Sequence, residues 1–505
     1  MRVFLQATAT SLAAIAALAV TNADDAPTVT IKNGSYYGLH DSSYSQDQFL
    51  GMPFAQPPVG DLRFVNPQPL NTSWTEAKNA TEYSLECYGY GSDQWVLGNI
   101  VSEDCLTLNV VRPSGISEGD SLPVGVWIHG GGFSQGGSRD PRYNLTYIVD
   151  QSVQMGKPFI GVSINYRLHG FGFLWGSEIA AAGAGNLGLK DQRLALHWVN
   201  ENIEFFGGDK DKVTIFGESA GGFSVAHQLV AYGGRDDGLI RGAIMESGYM
   251  STSTVNATAW DVYYNNITAA AGCDTAADTL ACLRQVPVET LSDIFNSTSA
   301  SFSPITDGEF LEDLTVNLLD NGKFNHVPFL MGQNHDEGSA FGTAGIDTDE
   351  EFLAYLVATG RSEEQAKILG ETWAANNVTS YSYNFNVLVN GLSQFIGSTH
   401  FQEVAFVFHN IEGNGYNTSV AVDPFLGKPE SYVQLATLMS RMWVSFIVDQ
   451  TPNHSGVTHL EWPEYTSEDA QIVVFDANVT ELAYTAPDTY RAEGIAYLHD
   501  LYHSS

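Results

Sequence analysis

The sequence predicts an α/β fold, with a central, mostly parallel twisted sheet flanked by helices and carrying large insertions. Two observations predict it. Short apolar runs rich in β-branched and aromatic residues have the length of buried strands: LPVGVWIHG from Leu122, PFIGVSINY from Pro158, KVTIFG from Lys212 and HVPFLMGQ from His326. A longer helical pattern lies between the second and third, where Leu194, His197, Trp198, Glu201 and Phe205 recur at helical spacing across Asp191 to Phe206, a mostly apolar stripe. Strand alternating with helix implies parallel neighbours. No repeat, low-complexity tract or Pro-rich linker divides the 505 residues, so residues 24–505 read as one domain.

The chain opens with one Arg ahead of a run of Ala, Leu, Ile and Val that ends in small residues, so residues 1–23 read as a secretory signal cleaved near Ala23. The run is short and broken by Thr and Ser, whereas a membrane anchor needs about 20 apolar residues. No later stretch is long enough either. Eleven Asn residues begin N-x-S/T: Asn33, Asn71, Asn79, Asn144, Asn256, Asn266, Asn296, Asn377, Asn417, Asn453 and Asn478. Together they predict an extracellular glycoprotein. Four cysteines, an even number suited to an oxidising compartment, permit three connectivities, and proximity favours Cys87 with Cys105 and Cys273 with Cys282.

His129-Gly130-Gly131-Gly132-Phe133 follows the first predicted strand, and the backbone of such a turn can approach a developing oxyanion without side-chain obstruction. The N–H groups of Gly131 and Gly132, with that of Ala220, are the expected donors. No Gly-Lys-Ser/Thr follows, so the turn does not read as a phosphate cradle. Further on, Gly183-Ala-Gly185-Asn-Leu-Gly188 matches G-x-G-x-x-G, with Asp209 about twenty residues later. The preceding GSEIAAA is Ala-rich and not strand-like, which argues against a dinucleotide site, and no cofactor is expected.

The strongest local signal is KVTIFGESAGGFSVAHQLV, in which a strand runs through Gly217-Glu218-Ser219-Ala220-Gly221 into a helix. G-x-S-x-G in that context is a nucleophile elbow, with Ser219 projecting above the sheet at a helix N-terminus. In the α/β-hydrolase fold the acid and then the histidine follow the serine along the chain. Asp336 and Glu337 end the HVPFLMGQ strand, and either could orient an imidazole. Of the later histidines, His454 lies inside a sequon, His499 and His503 sit at the C-terminus, and His409 falls within a helical-looking stripe. His400 follows a Gly-Ser-Thr turn at an element boundary and is the favoured base. No H-E-x-x-H or similar spacing points to metal.

Lys and Arg total 22 against 58 Asp and Glu, a net charge of −36. Nucleic-acid binding is excluded for want of clustered cations, and stable association with anionic membrane is disfavoured.

Longer stretches resemble the type-B carboxylesterases of the cholinesterase and fungal-lipase superfamily, in particular secreted fungal members. The run from Phe206 through Gly-Glu-Ser219-Ala-Gly resembles the family's serine signature, and Glu103-Asp104-Cys105-Leu106-Thr107-Leu108-Asn109-Val110 its second signature. FLGMPFAQPPVGDLRF from Phe49, NLGLKDQRLALHWV from Asn186, MWVSFIVDQTPN from Met442 and WPEY from Trp462 extend the likeness over almost all of residues 24–505. The resemblance implies Ser219 as nucleophile, Glu337 as acid and His400 as base. It also implies Gly131, Gly132 and Ala220 as oxyanion hole, disulfides Cys87–Cys105 and Cys273–Cys282, and an Arg63–Glu103 ion pair.

Two departures bear on substrate. Only 17 residues lie between Cys87 and Cys105, where lipases of this family carry a longer flap, and Glu337 to His400 spans a short 63 positions. The expectation is a serine carboxylesterase that hydrolyses short- to medium-chain esters through an acyl-enzyme. The alternatives are a lipase or sterol esterase acting on long chains, and a binding protein of the same fold that does no chemistry.

Overall fold

The computed structural model describes residues 26–96, 98–249, 256–341, 369–418 and 422–489. The signal predicted over residues 1–23 lies outside them, as do His499 and His503. One sheet of eleven strands organises the chain: β1 (Leu39–Asp41), β2 (Gln46–Pro53), β3 (Thr107–Pro113), β4 (Leu122–Ile128), β5 (Ile160–Ile164), β6 (Gly208–Glu218), β7 (Gly242–Glu246), β8 (Phe329–Asn334), β9 (Ser380–Phe385), β10 (Gln471–Phe475) and β11 (Ala483–Pro487). Their spatial order is β11-β10-β9-β8-β7-β6-β4-β5-β3-β2-β1. The seven from β4 to β10 pair in parallel, and the outer strands β1, β2, β3 and β11 pair antiparallel. All four strands expected from the apolar runs are among the parallel seven.

Burial explains why those runs are continuous instead of alternating. Every residue of β5 and β7 is buried, because helices cover both faces. Val126 and Ile128 of β4 and Ile215 of β6 join one core cluster, while their neighbours Trp127 and Phe216 join the other, as alternation across a strand requires. The second cluster also takes Leu145, Ile148 and Val149 from helix α1 (Leu145–Gln154), and Trp443, Phe446 and Ile447 from helix α4 (Glu430–Asp449).

Helix α2 (Leu187–Asn202) begins four residues before the expected Asp191 and passes into a 3-10 turn over Ile203–Phe206. Its buried face also differs from the expected stripe: Leu194, His197 and Phe205 are only half-buried and Glu201 is exposed, whereas Asp191, Gln192, Ala195, Leu196 and Val199 are buried. Two polar residues occupy inner positions because each has a dedicated partner. Arg167 forks onto Asp191, with Nε 2.8 Å from Oδ2 and Nη2 2.7 Å from Oδ1, and Gln192 Nε2 donates to Ser224 Oγ at 2.9 Å. A stripe judged by apolarity misses such a face.

This framework places several loops together. Strand β4 leads into the Gly130–Gly132 turn, β6 into Ser219 and helix α3 (Ala220–Gly234), β7 into Ser247, and β8 into the turn bearing Glu337. All leave the carboxyl edge of the parallel strands, where open α/β sheets form their crevices.

Candidate active site

Strand β6 ends at Glu218 and α3 opens at Ala220, leaving Ser219 alone in the turn at φ 56°, ψ −125°. A non-glycine residue there is strained, and the flanking glycines permit it. A Cβ on Gly217 would stand 2.6 Å from Ile128 O, and one on Gly221 would run into the same oxygen. Ser219 N donates to Glu246 O at 2.9 Å, which ties the elbow to β7.

The glycine turn lies beside the elbow. A Cβ on Gly130 would come within 3.0 Å of Ser219 Cβ. Gly131 and Gly132 adopt left-handed φ of 99° and 63°. Gly131 O accepts from Ser134 N at 3.1 Å and Gln135 N at 3.0 Å, which fixes the turn. Ala220 N–H is the first of α3, a position with no intrahelical acceptor. His129 is a buried structural group: burial lowers it to about 4, its ring stacks on Tyr166 with centroids 4.5 Å apart, and Tyr166 Oη donates to its carbonyl at 2.9 Å.

Glu337 and His400 meet, with Glu337 Oε2 2.5 Å from His400 Nδ1. The other carboxylate oxygen accepts from Asn334 N at 2.7 Å and from Ser247 Oγ at 2.5 Å. With Nδ1 committed, the imidazole turns Nε2 toward the elbow, where it lies 3.1 Å from Oε1 of Glu218, the residue before Ser219. Burial opposes charge on His400, but Glu218 and Glu337 outweigh it and raise the imidazole to about 10. Burial, with Glu337 nearby, likewise raises Glu403 to about 7. The pocket therefore keeps protons that the same groups would lose in water.

Asp336 serves the same turn differently. Its carboxylate accepts from Ser398 N at 3.0 Å and its N–H donates to Ser398 O at 2.8 Å, so it braces the backbone ahead of His400. His409 is elsewhere, with Nε2 3.1 Å from Thr437 Oγ1, and is lowered to about 4 by burial and then by Arg441.

Sequence reasoning gave no role to Glu218, Ser247, Asn334 or Glu403. Ser247 Oγ reaches Glu403 Oε1 at 3.2 Å, and Asn334 Nδ2 reaches Glu403 Oε2 at 2.5 Å. Two of them carried a signal: Glu218 fills the first variable position of G-x-S-x-G, and Glu403 lies three residues past His400. Ser247 and Asn334 carried none.

Both expected disulfides, Cys87–Cys105 and Cys273–Cys282, are formed. Arg63 also meets Glu103 as expected, with Nε 2.6 Å from Oε1 and Nη2 2.7 Å from Oε2. The segment that Cys87–Cys105 closes holds a short helix, Ser92–Val96, and lies against the glycine turn. Tyr90 N donates to Ser134 O at 2.6 Å and Asp93 N to Gln135 Oε1 at 3.2 Å. Of the sequon asparagines, Asn33 and Asn144 are half-buried and the other nine are exposed. Among the described residues no helix is long and apolar enough to cross a membrane.

A profile of the carboxylesterase family matches residues 25–368 and 353–494. Lipase 4 of Diutina rugosa is 35% identical, over 93% of this chain and 95% of its own. Secreted lipase 1 of Botryotinia fuckeliana is 40% identical, over 66% of this chain and 63% of its own. The crystal structure of Aspergillus niger EstA superposes with a TM-score of 0.81 at 28% identity, covering 95% of this chain and 99% of that one.

Proposed function

This chain belongs to the carboxylesterase family and is a carboxylic ester hydrolase, and on that premise we propose that it is a secreted serine esterase working through Ser219, His400 and Glu337 on short- to medium-chain esters. The observation that carries the triad is the 2.5 Å contact of Glu337 Oε2 with His400 Nδ1, which turns Nε2 toward the elbow.

In this mechanism His400 Nε2 takes the hydroxyl proton of Ser219 as Oγ attacks the ester carbonyl. The N–H groups of Gly131, Gly132 and Ala220 hold the negative oxygen of the tetrahedral intermediate. His400 returns the proton to the departing alcohol, leaving an acyl-serine, and the same base then activates a water that releases the acid. Glu337 fixes the tautomer and stabilises the imidazolium that forms twice per cycle.

The preference for shorter chains rests on the short Cys87–Cys105 segment and its hydrogen bonds to the glycine turn. Export rests on residues 1–23, on the eleven sequons as glycan acceptors, and on the likeness to a relative named a secreted lipase. Residues 24–505 act as one catalytic domain. Exposed Trp95, at the end of the short helix Ser92–Val96, favours a second reading as a lipase that meets long-chain substrate at an interface.

The test is kcat/KM on p-nitrophenyl esters from acetate to palmitate, with Ser219→Ala alongside. A maximum at short chains and an inactive Ser219→Ala are expected. A maximum at long chains that climbs past the solubility limit would replace the esterase reading with the lipase one, and turnover that survives Ser219→Ala would remove the serine mechanism.

A further inference from the structure

Arg142, four-hundredths exposed, is held where three separate loops converge. It sits in the 3-10 turn Pro141–Tyr143, beyond the glycine turn. Its Nη2 is 2.6 Å from Oδ2 of Asp140, on its own segment, and 2.7 Å from Oδ2 of Asp93, in the Cys87–Cys105 segment. Its Nε donates to Asp140 Oδ1 at 3.1 Å, completing a fork on that carboxylate. The guanidinium carbon lies 4.7 Å from the ring centroid of Phe401, close enough for a cation–π contact. Phe401 follows His400 directly and is itself at φ 74°, a strained conformation that needs support from its surroundings. The Arg142 carbonyl, in turn, accepts from Asn410 Nδ2 at 3.3 Å.

No neutral side chain could do this. Two carboxylates from different loops repel each other unless one cation satisfies both, and a buried guanidinium is stable only when so paired. The planar fork can donate to two carboxylates in its plane while offering its face to an aromatic ring.

We propose that Arg142 is a positioning residue for ester hydrolysis, binding the Cys87–Cys105 segment through Asp93, the glycine-turn segment through Asp140 and the histidine turn through Phe401 into one rigid unit. The oxyanion donors and the base are then set relative to each other by a group that touches neither substrate nor reacting atoms. The Cys87–Cys105 segment is, in consequence, a fixed brace and not a lid. This inference rests on the triad reading above.

The test uses the full-length secreted protein with Arg142→Lys, Asp93→Asn, Phe401→Leu and the double variant Asp93→Asn/Phe401→Leu. Active sites are counted by stoichiometric reaction with a p-nitrophenyl phosphonate, and kcat on p-nitrophenyl butyrate is expressed per titrated site. Arg142→Lys keeps the charge but loses the fork, and kcat per site is expected to fall about tenfold or more with KM within about twofold. Each of the other single variants should give a smaller fall, and the double variant less than the product of the two. If kcat per titrated site is unchanged in Asp93→Asn and Phe401→Leu, and Arg142→Lys loses only titratable sites or Tm, the role is structural support alone and the proposal is overturned. Failure of the phosphonate to titrate the parent, with Ser219→Ala still active, would instead overturn the triad reading.

Discussion

Ser247 Oγ stands 2.5 Å from Glu337 Oε1, on the carboxylate oxygen opposite the one that meets His400. The hydroxyl thereby sets the rotation of the carboxyl group about its own axis. Ser247→Ala is expected to lower kcat about tenfold with little change in KM, the value of one hydrogen bond to a charged group. Steady-state kinetics on a soluble ester checks this.

Glu218 Oε1, 3.1 Å from His400 Nε2, raises the imidazole together with Glu337 against the opposing effect of burial. In the triad reading attack requires neutral imidazole, which is populated above its pKa, so the ascending limb of the kcat/KM profile is expected at high pH. Glu218→Gln removes one of the carboxylates responsible and should shift that limb to lower pH. A pH–rate profile of parent and variant decides it, and an unmoved limb would mean that Glu218 carries no charge when the free enzyme reacts.

The two glycines of the expected oxyanion hole should respond differently to alanine. A Cβ on Gly131 would run into Gln135 O, whereas one on Gly132 would meet nothing within 4 Å. Gly131→Ala should cost kcat on the order of a hundredfold or more through displacement of the turn. Gly132→Ala should cost only the strain of a left-handed φ, about 1 kcal/mol. Kinetics of the two variants side by side makes the comparison.

Glu86 precedes Cys87 and is buried, with no cation paired to its carboxylate among the described residues. Burial, then the nearby charge of Asp140, raises its carboxyl from 4.5 to about 7. The unfolded chain releases this proton near 4.5 and the folded one near 7, so stability is lost as pH rises through that window. Glu86→Gln should therefore raise Tm relative to the parent at pH 8 and have little effect at pH 4, with a difference on the order of 3 kcal/mol. Thermal unfolding at the two pH values tests it.

Much of the parallel core of the sheet was legible in the sequence because a strand covered on both faces is mostly apolar, as β5 is, with Ser163 its one polar side chain. The elbow was legible for a local reason: Gly217 and Gly221 have no room for a Cβ against Ile128 O. The face of α2 was misread because Asp191 is inside, and only a contact with Arg167 across the chain makes that tolerable. Ser247 and Asn334 were invisible because their roles arise from the adjacency of β7 and β8 in the sheet. The choice between Asp336 and Glu337 stayed open to pattern reasoning because both carboxylates serve the same turn, one through the backbone of Ser398 and the other through the ring of His400.

Strands β6, β7, β8 and β9 are neighbours in space in the order in which they are translated. In the triad reading the nucleophile is therefore synthesised first, the acid later, and the base only after β9 has been added. A ribosome that has reached residue 399 has added the elbow, the glycine turn and Glu337, yet in that reading the nascent chain still lacks its base. In that reading the chain cannot hydrolyse esters through most of its own synthesis and becomes competent only when the segment after β9 closes onto the sheet.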